Sequence, residues 1–367
     1  MKKNLINNIV PILILTLIAL VFPLSGLRVI PTIQEIVLRL SRNLFLVLSL
    51  LIPIVAGMGL NFGIVLGAMA GQIALIFITD WHIIGIQGIF LATIISIPFS
   101  VLLGILAGKI LNKAKGREMI TSMILGFFIN GVYQLVVLYG MGNIIHITDK
   151  KLLLSRGYGV RNAVDLINVR RGLDSLINLK IYNVEIPIFT LLIIAGLGFF
   201  TIWFRKTKLG QDMRAVGQDM EVARSSGINV PKTRVLAIVI STVLAGFGQI
   251  IYLQNIGTMN TYNSHEQIGM FSIAALLVGG ASSSKATIFN AISGVILFHM
   301  LFIVSPNAGK NIMGSAEIGE YFRVFISYGI VALTLVLHQW RRKKEKEYKR
   351  KKEMEAIMKG ELNEKNI

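Results

Sequence analysis

Five histidines, His82, His146, His265, His299 and His338, are the residues best suited to metal or acid–base chemistry, and their spacing supports neither. A zinc hydrolase sets two histidines one helical turn apart around a glutamate, as in H-E-x-x-H, and no such run occurs. His299 alone stands well inside an apolar stretch, where a packed histidine is the expectation. Cysteine is absent, which removes disulfides, thiolate nucleophiles and sulfur-ligated metal. No G-x-S-x-G elbow occurs. The run Gly309–Lys310–Asn311 lacks the first glycine and the hydroxyl of a phosphate-binding loop. The chain therefore reads as no enzyme, with neither metal nor cofactor, and any nucleotide hydrolysis belongs to another subunit.

A different chemistry is available to amides that interrupt apolar stretches: Asn61, Gln72, Asn130, Gln134, Gln249 and Asn290. In hydrocarbon each needs a partner, either another helix or water. Together, Asn61, Gln72, Asn130, Gln134 and Gln249 outline a candidate polar path between helices. The same stretches hold almost no Asp, Glu, Lys or Arg, whereas ion-coupled carriers commonly keep ionisable groups there. Energy for any transport is thus expected to enter from outside the membrane segment.

The elements that position these groups are long apolar blocks. The 367 residues are 54% hydrophobic and 15% charged, far below the quarter charged expected of a soluble domain. The blocks approach the ~20 residues that cross a bilayer core. They fall near 5–25, 43–59, 62–80, 87–108, 118–142, 186–204, 233–254, 268–282, 285–304 and 320–339. This predicts an all-α, polytopic bundle of about ten spans, or eight to nine if the 43–80 and 268–304 blocks divide differently. Lys2 and Lys3 precede an apolar run too long for a secretory leader and without a small-x-small cleavage site, so the first span is expected to be retained.

Ten spans place both termini on one side. With both in the cytoplasm, Lys and Arg fall mostly inside while Asp and Glu divide almost evenly, as the positive-inside rule requires. The weakest point of that orientation is the extracytoplasmic loop 143–185, which carries basic residues of its own. Residues 1–340 then form the membrane domain and 341–367 a basic cytoplasmic tail. The formal net charge of +18 gathers in that tail and in short loops, which suits anionic lipid and not nucleic acid. Gly59, Gly63, Gly67 and Gly71 recur every four residues, predicting a glycine face for close helix packing.

The most patterned polar segment is 205–234, RKTKLGQDMRAVGQDMEVARSSGINVPKTR. Gly210, Gly217 and Gly227 divide it into short helices, and Pro231 opens the next span. It resembles permease subunits of ATP-binding-cassette importers in the branched-chain amino acid, simple-sugar and nucleoside group. The likeness rests on K-L-G…R-A-V-G…A-R…S-G-I-N-V. The broader pattern E-A-A-x3-G is met only partly, by Glu221, Val222, Ala223 and Gly227, with Val222 for the second alanine and Ile238 one place late. Two further stretches, GMGLNFGIVLGAMAGQIA and AALLVGGASSSKATIFNAISGVIL, resemble the same group, so the likeness spans roughly 43–335.

That resemblance implies a bacterial cytoplasmic-membrane permease pairing with a second permease, identical or homologous. It implies cytosolic ATPase subunits docking on Gly210, Arg214, Ala215, Gly217, Glu221, Ala223, Arg224 and Gly227, and an extracytoplasmic solute-binding protein. Small residues would let the docking helices approach a partner cleft. Glu221 would favour a helix start and Gly227 a helix end. The amides suit a neutral polar solute such as a sugar or nucleoside. A branched-chain amino acid is the alternative solute and an ion-coupled carrier the alternative class.

Overall fold

The structure is a computed structural model that describes residues 9–182 and 184–315, with scattered residues from 317 to 354. The expected tenth span, 320–339, and the basic tail 341–367 fall outside the continuously described residues. Twelve helices occur among the described residues: α1 (Ile9–Leu24), α2 (Val29–Ser49), α3 (Leu51–Val55), α4 (Ile64–Asp80), α5 (Gly85–Lys113) and α6 (Glu118–Leu135), then α7 (Ile188–Phe204), α8 (Lys208–Gln218), α9 (Met220–Ser225), α10 (Val230–Ile256), α11 (Ser264–Val278) and α12 (Ile288–Met313). A wider turn, Val136–Gly140, extends α6.

Five of these segments are long and apolar enough to cross a membrane: Val29–Val55, Gly85–Lys113, Glu118–Gly140, Val230–Ile256 and Ile288–Ile312. A sixth arises if α7 and α8, bent by 73°, count as one. Helix sides turned away from the bundle bear Phe90, Phe128 and Phe199, which are 67%, 67% and 71% exposed. Large aromatic surface left open on every flank suits hydrocarbon and not water. The chain is a helical, multi-pass membrane protein.

The centre is α10. Asn229 caps its start by accepting the Lys232 N–H, Pro231 fills its first turn, and Gly257 ends it at φ +80°. Against it α5 runs antiparallel: Gly108 meets Val235, and Gly104 meets Val239 and Thr242. By contrast α4 runs parallel, with Gly67 against Thr242 and Ala245 and Gly71 against Gly246 and Gln249. On the other side, Gly279 after α11 and Gly294 of α12 bring those two backbones together. Lipid supplies no hydrophobic drive between helices, so such close backbone approach supplies dispersion and weak hydrogen bonding.

The four-residue glycine series does not form one helical face. Only Gly67 and Gly71 lie in α4. Gly59 precedes it in a left-handed turn at φ +71°, and Gly63 is its N-cap, with its N–H donated to Asn61 Oδ1 at 2.9 Å. The sequence period continued past the helix start, where a polar Asn61 had already broken the run. The second expected span also began too late. Its helix starts at Val29, not 43, because Gln34, Glu35, Arg39 and Arg42 occupy one side of an amphipathic first half. Asn290 is a capping residue: Thr287 and Asn290 form a reciprocal capping box, and its side-chain amide donates to Gly279 O at 2.6 Å.

The expected loop 143–185 holds the only strands other than Thr258–Asn260 among the described residues. Strand β1 (Ala163–Asp165) pairs antiparallel with β4 (Thr258–Asn260), and β2 (Asn178–Ile181) with β3 (Val184–Pro187). Asp80, at the end of α4, fastens this loop by accepting the Thr148 and Asp149 N–H groups, both at 2.7 Å. Short strands are compatible with a membrane bundle because they lie in the segments joining helix ends.

Candidate functional site: a buried polar cluster and a helical loop

Gln72 converges with Asn130 and Gln134, which lie one turn apart on α6 and nearly sixty residues later in the chain; Asn61 and Gln249 form no hydrogen bond with them among the described residues. His265, at the start of α11, is fully buried between the amides. Its Nδ1 lies 2.6 Å from Gln72 Oε1 and its Nε2 2.8 Å from Asn130 Oδ1. A neutral imidazole donates through one nitrogen only. One of the two amides therefore turns its NH2 to the ring. The far ends of both amides are engaged: that of Gln72 lies 2.8 Å from Ser264 Oγ, and that of Asn130 meets the Glu266 carboxylate. Tyr133 O–H donates to Thr261 O at 3.1 Å and packs edge-on against His265 at 5.0 Å. Gln134 Nε2 reaches Asn130 Oδ1 and Tyr262 O, each at 3.5 Å.

Asn130 stands twelve residues beyond Glu118, about 18 Å along a helix rising 1.5 Å per residue, and the cluster packs against residues 260–262, at and just after β4. It adds an acid and a second buried histidine, His265, to the polar groups among the helices, where His299 was the histidine expected. His299 is buried as well, edge-on to Phe298. Reading α11 from 268 left His265 and Glu266 in a loop; the run S-H-E-Q-I-G-M-F hides a helix start behind polar residues. Asn61 lies at the opening of α4 and serves a turn. Gln249 is fully buried on α10, its amide atoms without a hydrogen-bond partner.

The second arrangement is the loop 205–229. Thr207 caps α8, accepting the Gly210 N–H at 3.3 Å, and Asp219 caps α9, accepting the Glu221 and Val222 N–H groups. Gly227 ends α9 at φ +82°. Ile228 N–H bonds Ala223 O and Gly227 N–H bonds Arg224 O, a paired closure that requires a left-handed residue. Gly227→Val is expected to cost about 1–2 kcal/mol, read as a lower unfolding midpoint in detergent, because no neighbour within 4 Å would otherwise object.

Gly210 and Gly217 of the loop lie against the chain's own backbone. A side chain at Gly210 would strike Phe204 O, and one at Gly217 would strike Val55 O and Gly57. Ala223 is buried with Val216 and Val230. Gly210, Gly217 and Ala223 thus seat the loop on the bundle, whereas an added Cβ at Gly227 would meet nothing within 4 Å among the described residues. Arg214, Glu221, Val222 and Arg224 point outward, Val222 being 63% exposed, while Ala215 is half-buried.

Beneath the loop lies Arg234 on α10, with no exposed surface. Its Nη2 donates to the Glu118 carboxylate at 2.5 Å, Nη1 lies 3.0 Å from Met220 Sδ, and Nε lies 3.5 Å from Met58 Sδ. One guanidinium thus joins α10, α6, the first residue of α9 and the turn after α3.

Among known proteins, the chain is 29% identical to the galactose/methyl galactoside import permease protein MglC of Salmonella typhimurium over 39% of its length and 40% of the relative's. It is 27% identical to the nucleoside ABC transporter permease protein NupB of Lactococcus lactis over 52% of its length and 50% of the relative's. With the ribose import permease protein RbsC of Escherichia coli it shares 23% identity over 89% of its length and 91% of the relative's. The chain thus spans only about half the length of the first two relatives. No solved structure gives a significant match. Residues 32–335, from early α2 to beyond α12, match one family throughout, and the chain belongs to that family, the permease components of the branched-chain amino acid transport system.

Proposed function

We propose that this chain is the permease subunit of an ATP-binding-cassette importer for a small polar solute, a sugar or nucleoside, driven by separate ATPase subunits. The loop 205–229 carries this reading. Two capped helices, seated by Gly210, Gly217 and Ala223 and fixed over buried Arg234, turn Arg214, Glu221, Val222 and Arg224 outward as a rigid docking surface. A plain connector would need no such seat. Lys109, Lys113, Lys115, Arg117, Arg205, Lys206 and Lys208 gather at this end of the bundle, which supports a cytoplasmic placement by the positive-inside rule.

In this reading ATP-driven closure of the partner subunits pushes the loop, and a second permease completes the path. A binding protein delivers solute to the face bearing residues 141–187. The relatives named for galactosides, nucleosides and ribose support a hydroxylated solute, as does the amide-lined cluster. The family description supports the branched-chain amino acid alternative.

Val222→Asp tests the reading, since it alters an exposed side chain without disturbing the seat. Purification from native membranes in mild detergent is expected to recover an ATPase subunit with the parent chain. Recovery should fall about tenfold with the variant, equivalent to ~1.4 kcal/mol of docking energy. Uptake driven by an ion gradient, with no ATPase recovered in any mild detergent, would favour a self-sufficient carrier instead.

A further inference from the structure

Glu266 presents a problem that hydrocarbon cannot solve. It sits beside Asn130, two residues into α11, yet it is only half-buried and forms no ion pair among the described residues. Asn263 just before α11 and Gln267 on it are exposed and Met270 is half-buried, so they mark one accessible side of this helix. Beside it, α6 contributes half-buried Gln134 and exposed Gly131 and Phe127. A carboxylate and two amides gathered on one open side of a membrane bundle suit water and not lipid. They face water.

We infer that Glu266, Asn130, Gln134 and Gln267 form a water-lined recognition site for neutral, hydroxyl-bearing solutes that repels anions. Resting on the permease reading, the inference adds which wall meets the solute and which solutes pass. Asn130 is held from behind by His265, itself fixed by Gln72, so its amide cannot swing freely. It engages one carboxylate oxygen of Glu266 and leaves the other free to accept hydroxyl protons. The amide of Gln267 can both donate and accept beside it. Adjacent hydroxyls of a sugar or ribose ring match this mixed set. A phosphate would meet the carboxylate and no cation of this wall.

Because this chain holds no cysteine, one introduced thiol is its sole target, and labelling is read on the purified chain. Gln267→Cys and, as a lipid-facing control, Phe128→Cys are placed in the full chain in native membranes. Each is treated with water-soluble methanethiosulfonates, one cationic and one anionic, which need a hydrated thiolate. The Gln267→Cys thiol is expected to react readily and the Phe128→Cys thiol not at all. The cationic reagent should outpace the anionic one by about tenfold in the field of Glu266, and added Glu266→Gln should abolish that preference. Ribose or uridine at millimolar concentration should slow both reagents. A Gln267→Cys thiol as inert as the control would overturn the water-lined site; reaction without charge preference would overturn the anion barrier. Neither readout depends on an ATPase, so failure of the importer reading shows separately in co-purification.

Discussion

Arg234→Met is expected to lower stability by about 3–5 kcal/mol, the usual consequence of stranding one member of a buried ion pair. Glu118 keeps only 12% of its side chain exposed, and Arg234 is its ion-pair partner. The methionine restores volume but returns neither the charge nor the planar donor set that spans Glu118, Met220 and Met58. Arg234→Lys is not expected to rescue, because one ammonium cannot reach all three positions at once. The companion Arg234→Met/Glu118→Met removes both charges and should recover most of the loss. Equilibrium unfolding in mixed micelles, followed by tryptophan fluorescence, measures all three. A single variant as stable as the parent would show that Glu118 finds water or another donor.

The second large effect belongs to Gly67→Leu. A Cβ there overlaps the Thr242 carbonyl and the Ala245 methyl, and the helices cannot separate locally because Gly71 repeats the contact on Gly246 one turn later. Overpacking against side chains costs about 1–3 kcal/mol; here a backbone carbonyl stands in the way, so the top of that range is the expected minimum. Gly196→Leu on α7 is the matched control, with nothing within 4 Å of the added atom. Monodispersity and thermal midpoint in detergent should fall for the first and hold for the second. Equal behaviour of the two would mean that α4 and α10 part readily.

What the sequence disclosed divides along physical lines. Apolar blocks mark helices whose every side meets lipid or other helices, so α5, α6, α7 and α10 were legible to within about five residues, while α12 runs on to Met313, past the expected end at 304. The first half of α2 was not, because Glu35, Arg39 and Arg42 look like a loop until the rest of the bundle covers them. Helix ends were readable where chemistry is local: Glu221 at the start of α9, Gly227 after it, and Pro231 opening α10; the caps Asp219 and Asn229 emerged only from the structure. Convergence was not. Gln72 and Asn130 could be chosen as polar residues in apolar runs, but only tertiary packing brings His265 between them, sets Glu266 against Asn130, and leaves Gln249 without a hydrogen-bond partner among the described residues. The glycines of the loop were visible as a pattern, and their spacing alone could not say whether they face a partner or the chain itself.

The pairing of β1 with β4 bears on the order in which the protein is made. Ala163 faces Asn260, nearly a hundred residues later in the chain. When the first strand leaves the ribosome, its mate and the long helix α10 before it have yet to be synthesised. The segment after α6 must therefore wait, partly unpaired, while α7 through α10 enter the bilayer, and it closes only when Thr258–Asn260 arrives. Distant pairings of this kind form slowly, since chain closure precedes any reward. Polypeptides truncated before residue 258 should consequently leave this region open to protease, whereas those released beyond α11 should protect it.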